Sequence, residues 1–256
     1  FEAGMKAMQE ISESDAHPSI TRVSDARESA FSFATRKKSA GVSALMTKGL
    51  MAVLRRRGWD LDQMALSFIG FEGSASHVKY QKKLVKQIVK NHRGMGIGSG
   101  PGALYDQKKF DTPYIRDFLL DHGAAADVSE TAAPWSKLQG LYDSTIGAAN
   151  AAYAELGCTG WVMCHLSHSY HSGACLYFTF AFVTGEDPIG EYDVVKRAIQ
   201  QSFIDCGGTL SHHHGVGTEH SPWLEQDISA EGTAILRGLF ESTDPQGILN
   251  PGKILS

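Results

Sequence analysis

The sequence predicts an α+β fold: an antiparallel sheet with helices on one face. Two observations carry that expectation. In Leu176–Val183 (LYFTFAFV), Leu176, Phe178, Phe180 and Phe182 fall on one face and Tyr177, Thr179 and Ala181 on the other. Such clean alternation marks a strand buried on one side, which antiparallel sheets accommodate. The elements along the chain also recur as helix–strand–strand–helix–strand–strand–helix, an order of ferredoxin-like type, followed by a C-terminal helical segment.

Phe1–Ser14 reads as an amphipathic helix, with Met5, Met8 and Ile11 at helical spacing. Ser19–Ser24 is a short strand containing Arg22, which position alone would assign to the surface. Asp25–Ala40 is polar and weakly patterned. Val42–Arg57 is expected to be helical, its basic end suiting the helix dipole. Leu66–Phe71 is apolar on both faces and reads as a central strand, and Ser76–His92 as a lysine-rich amphipathic helix. In Gly94–Gly102, Gly98, Gly100 and Ala103 fit a loose GxGxxA, but a helix precedes the run and Pro101 interrupts it, so a surface loop is the better account. Tyr105–Asp121 holds a helix whose first turn takes Pro113 and Arg116. Arginine's planar fork suits phosphate or carboxylate, yet position alone again favours a surface ion pair.

Ser136–Leu156 is a long helix broken by Gly157, and Trp161–Ser169 and Leu176–Val183 are two strands joined by a turn around Gly173. Tyr177, on the face opposite the phenylalanines, is either a proton donor and acceptor or a packed ring with a wet end. His165 and His168 add polarity on the neighbouring strand. Glu191–Cys206 is an amphipathic helix stopped by Gly207-Gly208, Thr209–His214 a short strand, Ser229–Phe240 a helix, and Gly247–Leu255 a turn-rich tail.

Composition bounds the function. At 256 residues, 42% hydrophobic and 20% charged, the chain can bury a core, and its net charge of −4 argues against nucleic acid as a partner. No apolar run is long enough to cross a bilayer. Cys158, Cys164, Cys175 and Cys206 lack metal spacing and read as buried thiols in a reducing compartment. The chain begins inside a helical pattern at Phe1 and is read as the C-terminal part of a larger enzyme.

The chemistry concentrates in Ser211–His220 (SHHHGVGTEH), where three imidazoles run into Gly215-Val216-Gly217. Imidazole moves protons near neutral pH, and the glycines let a flat ligand come close. In an extended segment His212 and His214 would share a face. Zinc nevertheless usually wants separated ligand pairs, and no CxxC or HExxH is present, so no metal is expected.

SHHHGVGTEHSPWL, DPQGILNPGKIL, PYIRDFLLDHG and GACLYFTFAF together resemble the C-terminal half of flavin-linked oxidases of vanillyl-alcohol-oxidase type, within them the alkyldihydroxyacetonephosphate synthase branch. The resemblance runs from PSITRVSDA to the end of the chain. It implies a cap or substrate domain over residues 1–206 and a segment over 207–256 that completes a flavin site. The FAD-binding domain would precede both and lie outside this chain. It also implies FAD as cofactor, acyl-dihydroxyacetone phosphate and a long-chain fatty alcohol as substrates, and a non-redox exchange. A proton leaves beside the ester carbon, the fatty acid departs and the alcohol takes its place. Residue by residue, Arg116 matches the phosphate-binding arginine and Tyr177 the proton carrier. His212, His213 and His214 match a triplet needed for activity, and Arg22 a further arginine needed for it. His214 and Asn250 would face the cofactor. Animal members carry a cysteine-arginine pair where this chain has Cys164-His165. A cytoplasmic setting is expected, with peripheral membrane attachment and homodimerisation left open. Two other readings remain at this stage: FAD-linked oxidation of a 2-hydroxy acid, whose HxHxGDGN pattern HHHGVG lacks, and a non-catalytic α+β ligand-binding module.

Overall fold

The structure, a computed structural model, describes residues 1–34, 49, 51–56, 58–99 and 114–255. The chain divides into two compact units, Phe1–Thr112 with Met163–His171, and Pro113–Val162 with Ser172–Ser256. Residues 207–256 fall in the second unit, together with 172–206 and Pro113–Val162. The reason is a small apolar cluster. Leu210, Trp223 and Leu224 are buried, with Ile204, Val216, Ile228, Leu236, Ile254 and Leu255 packed against them.

In the first unit, α1 (Glu2–Ser12) buries Met5, Met8 and Ile11, as its spacing predicts. β1 (Ile20–Ser24) pairs antiparallel with β2 (Ser67–Gly70) and with the Met163–His171 part of β4 (Gly160–Ser169). Among the described residues of this unit β2 has only β1 beside it and remains half-exposed, so it is an edge strand and not the central one expected. The weakly patterned stretch after β1 is helical: α2 spans Ala26–Ala34. Asp25 makes it so. Its Oδ1 accepts the Glu28 N–H at 2.7 Å, capping the first turn, while Oδ2 accepts the Cys164 N–H of β4 at 2.9 Å. α3 (Ala75–Asn91) starts on Ser74, whose hydroxyl accepts the His77 N–H. Buried Gln81 on α3 donates to Ala16 O and His17 O at 2.8 and 3.1 Å, tying the helix to the α1–β1 turn. Residues 51–56 are helical, while the rest of the Val42–Arg57 helix, Gly100–Ala103 of the glycine loop and Pro113 lie outside the described residues.

In the second unit, α4 (Tyr114–Asp121) leads into β3 (Ala124–Pro134), a strand the sequence reading does not contain. β3 pairs antiparallel along its whole length with β5 (Gly173–Val183), Glu130 standing opposite Tyr177. The phenylalanine row is the core: Leu176, Phe178, Phe180 and Phe182 are all buried. It packs against α5 (Leu138–Glu155) and α6 (Pro188–Asp205). Phe178 lies 5.5 Å from Phe203 and 6.4 Å from Tyr142 between ring centroids, and Phe182 6.1 Å from Tyr153. α7 (Gly217–His220) and a short 3-10 turn lead into α8 (Leu224–Thr243). α8 breaks at Ser229 (φ 70°), whose hydroxyl then accepts the Gly232 N–H, so the expected helix start is a kink within a longer one. Of the four cysteines, none in a disulfide, Cys164 and Cys175 are buried, while Cys158 and Cys206 are half-buried, against the expectation of four buried thiols. No helix of the described residues is long and apolar enough to cross a membrane.

Phe178→Ala removes the ring at the centre of this core. It is expected to lower stability by about 3–5 kcal/mol in denaturant unfolding.

Candidate functional site

Thr209–His214 is not the strand that its sequence suggests. In an extended segment successive N–H groups point to opposite sides. Here the N–H groups of His212, His213 and His214 all converge on Oε1 of Glu130, at 3.2 Å for His212 and 2.8 Å for His214. The chain curls around one carboxylate. Glu130 is 2% exposed, and a buried charge needs such donors, each an oriented dipole that offsets lost hydration. Oε2 faces the rings: His213 Nδ1 lies 2.7 Å away, His214 Nε2 3.9 Å and His212 Nδ1 4.0 Å. Burial alone would raise the Glu130 pKa. The amides of His213 and His214 and their nearby rings outweigh it and hold the carboxyl below the ordinary glutamate value.

With the backbone committed to Glu130, the imidazoles splay outward. His213 is exposed, and successive rings meet edge-on, with centroids 5.2 Å apart for His212–His213 and 5.0 Å for His213–His214. Tyr177 shares a strand face with Glu130 across the β3–β5 pair and meets His214 edge-on at 5.7 Å. The structure thus brings together Tyr177, His212, His213 and His214, and adds Glu130, which sequence reasoning missed. The only signal for Glu130 was an acidic residue within a run of small residues, ADVSETAA.

Glu130, His212 and His213 offer one oxygen and two ring nitrogens within 4.8 Å of one another, a spacing that a cation could bridge. The carboxylate is already engaged by three amides and a ring nitrogen, so the group is satisfied by the protein itself. Beside the triplet, the Ser211 hydroxyl is buried without a hydrogen-bond partner.

Of the remaining predicted residues, Arg116 and Asn250 belong to the second unit and Arg22 to the first. Arg116 is exposed on α4, and among the described residues no hydrogen bond, ion pair or ring contact links it to Tyr177 or the triplet. The surface setting expected from position is observed, but among the described residues Arg116 makes no ion pair, with Asp117 or any other acid. Asn250 is exposed in the tail with φ 47°, where Leu249 N–H is held by Asp244 Oδ2 at 2.7 Å. Arg22 belongs to the first unit and is no surface residue: its guanidinium, 21% exposed, lies 2.5 Å from Glu28 Oε1. His165 Nδ1 lies 3.1 Å from the same oxygen. Glu28 is buried, which raises its pKa, yet the contacts with His165 and Arg22 bring it down to about 2. Burial pushes His165 below the ordinary imidazole range despite the carboxylate beside it. The consistent state is a charged Arg22–Glu28 pair with a neutral imidazole donating through Nδ1.

Glu130 contributes stability because its folded pKa lies below its unfolded one. That contribution is present above the ordinary carboxylate range and fades as pH falls through the folded value. Glu130→Gln is therefore expected to cost about 1.5–3 kcal/mol near neutral pH, the range for a charged hydrogen bond, and less in acid. Equilibrium unfolding across pH would read both the cost and the flattened acid limb.

Over residues 1–254 the chain matches the family of FAD linked oxidases, C-terminal domain. It is 35% identical over 257 residues to the alkyldihydroxyacetonephosphate synthase of Dictyostelium discoideum, covering 100% of this chain and 42% of that protein. The alkyldihydroxyacetonephosphate synthase of Trypanosoma brucei brucei is 31% identical over 257 residues, with the same 100% and 42% coverage. A solved alkyldihydroxyacetonephosphate synthase structure superposes with a TM-score of 0.77 at 32% identity, over 98% of this chain and 43% of that one. The chain spans less than half the length of the relatives it matches. By a match that runs through both units, it belongs to the family of FAD linked oxidases, C-terminal domain.

Proposed function

We propose that this chain is the C-terminal part of an FAD-dependent alkyldihydroxyacetonephosphate synthase. In this reading it exchanges the acyl group of acyl-dihydroxyacetone phosphate for a long-chain fatty alcohol. The observation that carries the reading is Tyr177 set edge-on to His214, beside a triplet whose backbone is fixed by Glu130. A phenol and imidazoles in one wall can take up the proton beside the substrate's ester carbon and return it, without a large rearrangement. The similarity to alkyldihydroxyacetonephosphate synthases through the whole chain supports the substrate class.

The FAD would be gripped by an N-terminal domain of the same protein. Exposed His214, the glycine turn after it and the unpartnered Ser211 hydroxyl suit a flat polar ring system docking here, and Asn250 is assigned to the same role. When bound, FAD supplies the electrophilic centre that the exchange needs. The chain's own residues do the rest. Tyr177 moves the proton, the imidazoles tune and orient it, Arg116 anchors the phosphate, and Arg22 serves activity from the Glu28–His165 cluster. Long-chain substrates reside in bilayers, so a cytoplasmic enzyme working at a membrane periphery is part of this reading.

The test is exchange of labelled hexadecanol into acyl-dihydroxyacetone phosphate by the full-length flavoprotein. Tyr177→Phe is expected to lower kcat by about 10²–10⁴-fold, the scale of general acid–base catalysis. Oxidation of a 2-hydroxy acid without exchange would overturn the reading. Separately, Arg116→Ala is expected to raise KM about 10–100-fold through lost charged hydrogen bonds, and an unchanged KM would remove Arg116 from the phosphate site.

A further inference from the structure

The segment 209–220 grips β3 from both faces, and only one of those grips involves the histidines. Side chains alternate along a strand, so Glu130 and Asp127, three residues apart, project from opposite faces. On the Glu130 face the strand holds the amides of His212–His214. On the other face lies a second polar cluster, built around Lys196 of α6. This ammonium is 5% exposed and lies against the Phe180 ring at 5.7 Å. It donates to Asp127 Oδ2 at 2.9 Å and Val128 O at 2.7 Å, and lies 3.0 Å from Glu219 Oε1. Tyr192 Oη bridges the same two carboxylates, 2.7 Å from each. Burial pushes the Tyr192 phenol up, and the two carboxylates push it further, so it stays protonated as a donor.

Between these two pins the backbone has little direction of its own. Gly215 (φ 82°) and Gly217 (φ 58°) both sit in the left-handed region with open space around their Cα atoms. His220 closes the turn from within, its Nδ1 2.8 Å from Gly215 O and its N–H donating to Val216 O at 3.1 Å. A cavity of about 400 Å3, lined by Asp127, Lys196, His214, Thr218 and Glu219 among others, leaves the turn room to shift. The contact of Glu219 with Lys196 and Tyr192 ties its far end to the sheet. A buried ion pair adds little net stability over apolar packing but does fix a geometry.

We propose that Lys196 is a positioning residue: by holding Glu219 against β3 it fixes the Gly215–Gly217 turn and thereby orients His214 against Tyr177. The inference rests on the reading of Tyr177 as proton carrier given above. It concerns a residue on the face of the strand pair opposite Tyr177.

The experiment uses the full-length flavoprotein with Lys196→Met, Lys196→Arg, Glu219→Gln and the Lys196→Met/Glu219→Gln double variant. Amide hydrogen exchange by mass spectrometry reads the pin directly. Lys196→Met and Glu219→Gln are each expected to speed exchange of 212–220 while leaving β5 and α5 unchanged. In the hexadecanol assay kcat falls about tenfold or more, the scale of a misplaced catalytic group, with KM within about twofold. Because both residues act through one contact, the double variant is no worse than Lys196→Met, and Lys196→Arg recovers much of kcat. Glu219 is largely exposed, so Glu219→Gln reads the same contact even if Lys196→Met fails to fold. Unchanged exchange of 212–220 in Glu219→Gln would overturn the proposal, as would faster exchange with an unaltered kcat. Were the wild-type protein to lack the transferase activity, the hydrogen-exchange arm would still read the pin, and only the functional reading would fall.

Discussion

A single buried carboxylate governs the second unit. Glu130 has lost its water, and the chain replaces that water with three consecutive backbone amides and a ring nitrogen. No extended segment can aim three successive N–H groups at one point, so residues 212–214 must curl. Curling sets the His214 ring against Tyr177, which the β3–β5 register places directly across from Glu130. The triplet's geometry thus follows from the cost of burying an anion, and from a strand pairing that fixes where the anion sits.

The parts legible in the sequence were those with strong periodic contrast. The phenylalanine row of β5 could be read because Leu176 and the three phenylalanines alternate without interruption with Tyr177, Thr179 and Ala181, and each predicted member of the row is buried. β3 was not legible. Its segment AAADVSETAAP pairs small residues with two carboxylates, so neither face stands out as apolar, and the order along the chain lacked one strand. The helix after Asp25 was hidden for a different reason. Its start depends on one side chain that also binds β4, a long-range contact no local window contains. The histidine run was misread as a strand because local pattern cannot register a carboxylate some eighty residues away, the partner that bends it. Tyr177 and the triplet were legible as polar groups that could meet, and their rings do form one cluster. The support beneath them, Glu130 and Lys196, was not, because acidic and basic residues at isolated positions look like surface until a fold buries them.

The first unit solves a similar problem with different chemistry. Glu28 is buried beside Arg22, and one guanidinium already balances its charge. His165 adds a neutral donor to the same carboxylate oxygen, its pKa depressed by the same burial. A second permanent cation at position 165 would leave the cluster with net positive charge. The imidazole keeps the hydrogen bond and leaves the pair neutral.

β3 has only β5 as a strand neighbour among the described residues, so its other edge would expose a row of unpaired peptide groups. The chain covers that edge piecemeal. Ala132 exchanges hydrogen bonds with Thr209, through Thr209 N–H to Ala132 O and Ala132 N–H to Thr209 Oγ1, and Val128 O is occupied by the Lys196 ammonium. An uncovered edge of this length is a template for another molecule's strand, the first step of sheet-to-sheet aggregation. Thr209, at the start of the segment that bears the imidazoles, and Lys196 therefore also shield the fold from associating with copies of itself. Loosening them exposes a sticky border as well as an idle site.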